Sequence, residues 1–106
     1  MSNFIWNFIS RWNFLAKKTI GAQYADAIDS ISALIAEGFG RFAKKDKIHF
    51  YRMARGSTLE SLDWTQKAKI RKLLTKSEYD EIFNNLKALP LEINQLIKFT
   101  NLKLKE

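Results

Sequence analysis

Few side chains in this sequence are able to do acid–base or metal chemistry. His49 is the single histidine and there is no cysteine. Disulfides, thiolate ligands, cysteine nucleophiles and multi-histidine zinc sites are therefore excluded, and a Ser–His triad has little to draw on. Arg41 and His49 are the residue types of an Arg–His ribonuclease pair, but the seven residues between them are too many for such a site. Glu37 and Glu60 could share a metal as paired carboxylates, yet salt bridges are the simpler role for both. The sequence has no Walker-type glycine loop, no HExxH and no nucleophile elbow. The expectation is a protein that is not an enzyme and needs neither metal nor cofactor.

Electrostatics is the chemistry that remains. The 106 residues hold 18 Lys and Arg against 11 Asp and Glu, a formal charge of +7. Residues 41–72 carry ten basic groups, Arg41, Lys44, Lys45, Lys47, Arg52, Arg55, Lys67, Lys69, Arg71 and Lys72, against Asp46, Glu60 and Asp63, while the segments on either side are each neutral overall. An excess gathered in one segment makes a field that attracts polyanions. Arg41, Lys44, Lys45, Lys47, Arg52, Lys67, Lys69, Arg71 and Lys72 are thus the candidate phosphate ligands. Arg55 stands apart, because its helical position groups it with Ile48, Tyr51 and Leu62 and predicts a buried or interfacial ion pair. Phe39 and Phe42 flank the basic run. Plugging the end of the fold is the favoured role for them, and stacking on an exposed base the alternative.

These residues must be positioned by helices. Strand-like alternation is missing, four Gly and one Pro are sparse punctuation, and apolar residues recur at spacings of three and four. Four helices are predicted, at about 3–17, 20–38, 46–73 and 76–103. Thr19 and Asp46 are the expected caps of the second and third, Gly38-Phe39-Gly40 ends the second, and Thr75 with Glu78 forms a capping box for the fourth. Pro90 predicts a kink in the fourth helix, since the apolar stripe continues in phase past it. The third helix shows two apolar sides, one with Phe50, Ala54, Ser57, Ser61, Trp64 and Ala68, the other with Ile48, Tyr51, Leu59, Leu62, Ile70 and Leu73. Such a helix is either deeply buried or shared with a neighbouring subunit. Short connections make neighbours antiparallel, so the fold class is all-α, a single-domain up-and-down four-helix bundle.

The N-terminal segment is rich in Phe and Trp, and packing onto the bundle is its favoured role. A subunit interface is the alternative, and membrane-surface docking a distant third. No apolar run approaches the ~20 residues of a membrane span. The positive charges follow the apolar stretch, the reverse of a secretory signal. Together with the absence of cysteine, this fits a cytoplasmic location.

Residues 19–41, TIGAQYADAIDSISALIAEGFGR, together with Ala54-Arg55-Gly56-Ser57 and Glu60, resemble the two signatures of a small bacterial four-helix-bundle family encoded within 23S rRNA intervening sequences. The matching positions are Gln23, Ser30, Ile31, Glu37, Gly38, Gly40 and Arg41 in the first, and Arg55, Gly56, Ser57 and Glu60 in the second. Ala33 departs from the family's usual Asn. The resemblance implies a four-helix bundle, a ring-like homopentamer for several relatives, and no catalytic residue. A relative similar in fold, the accessory variability determinant of diversity-generating retroelements, associates with a reverse transcriptase and nucleic acid.

Two function hypotheses follow. One is a non-enzymatic homo-oligomer that binds nucleic acid, RNA rather than DNA, through residues 41–72. The other is a protein-interaction scaffold or accessory subunit of a reverse transcriptase or other nucleic-acid enzyme. Mid-helix Gly56 costs about 1 kcal/mol relative to Ala, which predicts close approach of another helix there, with Ala33 and Ala36 as its candidate contacts. Glu60 is expected to meet Arg41 or Arg55.

Overall fold

The computed structural model describes residues 2–104, which are helical with no strand. Four rods form. α1 is Ser2–Ile9. α2 is continuous through Phe14–Ala16, a π-helical stretch Lys17–Gly21, and Ala22–Phe39. α3 is Lys44–Ile70. α4 consists of Lys76–Lys87 and Leu89–Lys103.

The first boundary differs from the sequence expectation. α1 stops at Ile9, and Asn13 starts α2 by accepting the Ala16 N–H on Oδ1 at 2.9 Å. Thr19 caps nothing, since its hydroxyl donates to the Leu15 carbonyl inside the helix at 2.8 Å. The break is held by Trp12, whose indole N–H reaches the Leu73 carbonyl at 3.1 Å. Asparagine side chains compete with helical backbone bonds and so favour a cap. Gly21 then admits Ile9: a Cβ there would lie 2.9 Å from Ile9 Cγ2 and 3.1 Å from the Ala16 oxygen.

α3 is capped by extended Ala43, not Asp46. Asp46 instead lies in the first turn, where its charge favours the positive end of the macrodipole. The helix ends three residues earlier than predicted. Lys72 takes φ 60°, Leu73 N–H bonds the Ala68 carbonyl at 2.9 Å and Lys72 N–H that of Lys69 at 3.0 Å. This is the Schellman arrangement, with lysine where glycine is usual. The Thr75–Glu78 capping box forms as predicted. Just before Pro90 the rod is interrupted at one residue, Ala88, which stays in the helical region and whose N–H takes the Leu86 carbonyl that proline cannot serve. The buried stripe of Ile82, Leu86, Ile93 and Ile97 continues across it.

α3 buries one face, not two. Ile48, Tyr51, Ala54, Thr58, Ser61, Thr65 and Ala68 form its buried seam, while Leu59 and Ile70 are 55% and 78% exposed. The polar members are satisfied locally, each hydroxyl donating to the carbonyl four residues back. Thr65 spends its one proton on the Ser61 carbonyl, so the buried Tyr24 hydroxyl, 2.6 Å away, is the donor to Thr65.

The core has two parts. Ile5, Ile9, Ile20, Tyr24, Ile28, Ile31, Ile82 and Leu86 form one, where α1 covers α2 and α4. Ile48, Tyr51, Ala54, Ile93 and Ile97 form the other, with Ile35 and Leu89 touching both. α1 is too short to reach the second part. The result is a rod of 49 × 22 × 17 Å. The aromatic N-terminus packs onto the bundle as expected through Phe4, Phe8 and Trp12, leaving Trp6 exposed. No described helix is long and apolar enough to cross a membrane.

Candidate nucleic-acid interface

At ~1.5 Å of rise per residue, the 27-residue α3 sets its two ends about 36 Å apart between Lys45 and Lys69. The basic segment is therefore not one wall but two clusters. Arg41, Lys44, Lys45, Lys47 and Arg52 lie toward the first end, and Lys67, Lys69, Arg71 and Lys72 toward the second. Between them the outward side of α3 carries Gly56, Glu60 and Asp63, all exposed.

The candidate ligands differ in their freedom. Arg41 pairs with Glu37 one turn earlier, and its guanidinium also lies 4.8 Å from the Phe50 ring centre. Lys67 pairs with Asp63 at 2.7 Å and covers the Trp64 ring. Lys47 is committed to the fold, because its ammonium donates to the Phe39 and Gly38 carbonyls at 3.0 and 3.3 Å and closes the end of α2. Lys69 sits over the Tyr79 ring at 4.2 Å. Among the described residues, Lys44, Lys45, Arg52, Lys69, Arg71 and Lys72 have no carboxylate partner within 4.0 Å.

The residues of the two signatures are distributed as follows. Arg55 makes no ion pair among the described residues and donates to the neutral Asn94 Oδ1 at 2.5 Å, tying α3 to α4. Glu60 meets neither Arg41 nor Arg55; it accepts from the Trp64 indole at 3.2 Å. Glu37 and Glu60 thus have separate partners. Gly56 is exposed and a Cβ there would meet nothing within 4 Å, so no helix of this chain approaches it. Among the signature glycines, Gly38 is the close-packed one instead. Gly40 donates its N–H to the Ala36 and Glu37 carbonyls, Ser30 bonds back to Asp26, and the Ser57 carbonyl accepts from Ser61. Gln23 faces outward.

Phe39 and Phe42 do not plug the bundle. Phe39 is 62% exposed with its ring edge on Tyr51, and Phe42 is 101% exposed. The connector Gly40–Ala43 is too short to fold the Phe42 ring back over a core already closed by Tyr51. Burial pushes the Tyr51 phenol up from its ordinary value and the Tyr24 phenol up to about 12.

Charge counting along the chain missed four further cations. α4 runs antiparallel to α3, with Ile97 beside Ile48 in one cluster, so exposed Lys98 and Lys103 come to the Arg41 end. Lys17 and Lys18 of α2 come to the Arg71 end, where Leu15, Thr19 and Arg71 line one surface groove. Local carboxylates balance these residues in sequence but not in space; antiparallel topology was the available signal.

A family model described as "23S rRNA-intervening sequence protein" matches residues 1–95. No curated protein and no solved structure matches the chain.

Proposed function

Because the chain belongs to the 23S rRNA-intervening sequence protein family, we propose that it is a non-enzymatic, self-associating helical-bundle protein that binds nucleic acid, RNA in preference to DNA, through the cations at the two ends of α3. The observation that supports this reading is the set of six cations without a carboxylate partner, Lys44, Lys45, Arg52, Lys69, Arg71 and Lys72, on exposed or half-exposed positions. Cations that a fold does not neutralise gain most by displacing the counterions of a phosphate backbone. Contacts of this kind position a backbone and read no bases.

Self-association would multiply two modest clusters into one extended surface and raise avidity without new contacts. The outward side of α3 suits a second copy, since Gly56 offers a flat spot between exposed Met53 and Leu59. The pentamer implied by the family resemblance is the expected assembly, and light scattering measures it. Exposed Leu59 and Ile70 also favour a second reading, in which that side docks a protein such as a reverse transcriptase and the bundle serves as its accessory subunit. Retention of such a partner after nuclease treatment supports this second reading.

The deciding measurement for the first reading is affinity for structured RNA against salt. With about six phosphate contacts, the dissociation constant rises by up to about a thousandfold between ~50 and ~200 mM salt. A constant that stays level over that range removes the proposal.

A further inference from the structure

Resting on the nucleic-acid reading above, we infer that Phe42 is a stacking platform for an unpaired base, so that the Arg41 end of the bundle takes single-stranded polynucleotide in preference to duplex. The ring contributes nothing to folding: it is 101% exposed, lies on a four-residue connector, and belongs to neither core cluster. Phe39, 62% exposed, offers a second face three residues earlier.

Charge selects the occupant. Residues 37–52 hold Arg41, Lys44, Lys45, Lys47 and Arg52 against Glu37 and Asp46, and α4 adds exposed Lys98 and Lys103 at the same end. Glu37 is already engaged by Arg41. An exposed apolar ring in a basic segment suits a ligand that is anionic along its backbone and aromatic along its side, which describes a single strand. The flanking surface is set before any ligand arrives, because Arg41 is held between Glu37 and the Phe50 ring, with His49 edge-on to the same ring at 5.6 Å. In a duplex the base faces are covered by their neighbours, and Phe42 has nothing to stack on. Lys44 and Lys45, two and three residues beyond the ring, are placed for the adjoining phosphates.

The test uses the whole chain and fluorescence anisotropy with a labelled single-stranded RNA dodecamer and the same dodecamer annealed to its complement. Phe42→Ala is expected to weaken single-strand binding by about five- to a hundredfold, the range of one aromatic–base stack. The slope of affinity against salt stays unchanged, and so does duplex affinity. Phe42→Trp retains single-strand binding, and its added indole is quenched by the bound base. Because the ring touches nothing, circular dichroism of both variants matches the parent.

Equal single-strand affinity in Phe42→Ala and parent overturns the inference while leaving the polyanion reading intact. Equal losses on single strand and duplex also overturn it. Binding to phosphatidylserine vesicles that Phe42→Ala abolishes, with RNA affinity unmoved, reassigns the ring to a lipid surface and overturns it too. Failure of the parent to bind either RNA removes both readings together.

Discussion

A methyl group on Gly38 would lie 2.5 Å from Cε1 and 2.9 Å from Cδ1 of Tyr51, so the last turn of α2 rests directly on the face of a ring that is itself 1% exposed. Neither side can yield, because the ring is packed among Ile48, Ala54, Ile93 and Ile97. Gly38→Ala gains up to about 1 kcal/mol of helix propensity but overpacks the contact at a cost of about 1–3 kcal/mol. A net loss of about 1–2 kcal/mol is expected, lowering Tm by several degrees in thermal unfolding.

Gly56 gives the opposite sign. With nothing within 4 Å of its Cβ position, Gly56→Ala removes unfolded-state freedom without a clash. It should stabilise the single subunit by about 0.5–1 kcal/mol. If α3 meets a second copy at this flat spot, the same variant weakens association while its subunit melts higher. Sedimentation and melting of one sample separate the two effects.

Helices were legible in the sequence wherever a single local signal dominated. The Thr75–Glu78 box and the one-residue interruption before Pro90, across which the apolar stripe continues, both rest on chemistry within four residues. The first boundary was not, because the apolar spacing of Phe8, Trp12 and Leu15 runs on past a break held by a contact between Trp12 and Leu73, 61 positions apart. The glycines show the same limit. Gly38 and Gly56 are both mid-signature glycines in helices, and only tertiary packing tells which one is pressed against a ring.

Lys72 carries the left-handed turn that ends α3, at φ 60°. A lysine there costs about 1 kcal/mol relative to glycine. Lys72→Gly should therefore raise stability by about that amount. It should also lower the slope of log affinity against log salt by about one if the ammonium contacts a phosphate. Higher Tm with weaker RNA binding is the expected pairing, read by thermal unfolding and by binding titrations at several salt concentrations.

Tyr24 makes stability fall at high pH. Its phenol is buried, donates to Thr65, and is pushed up to about 12, against about 10 in an unfolded chain. Below pH ~10 both states hold the proton and nothing changes. Between pH ~10 and ~12 only the unfolded state releases it, so folding loses up to about 2–3 kcal/mol across that window. Tyr24→Phe removes this share of the pH dependence, and absorbance at the phenolate band follows the titration directly. A phenolate signal near pH ~10 that is present in the folded parent and lost in Tyr24→Phe contradicts the assignment.

The candidate interface was legible as a composition and not as a shape, and Lys45 and Lys47 show why. Two residues apart in one basic run, they are equivalent in sequence. In the helix, Lys45 points to solvent, whereas Lys47 turns back to the Gly38 and Phe39 carbonyls. A cation at the carbonyl end of a helix is stabilising, by about 0.3–1 kcal/mol at the surface and up to ~2 where partly buried. Reversing it replaces attraction with repulsion. Lys47→Glu should accordingly cost about 1–2 kcal/mol in folding. Lys45→Glu should leave Tm within about 0.5 kcal/mol of the parent and weaken RNA binding with a shallower salt slope. Charge reversal at both positions then reads as two separate losses, one seen in melting and the other in binding. If Lys45→Glu instead lowered Tm and left RNA affinity unchanged, the Arg41 end would be a structural feature and the phosphate contacts would have to lie at the Arg71 end.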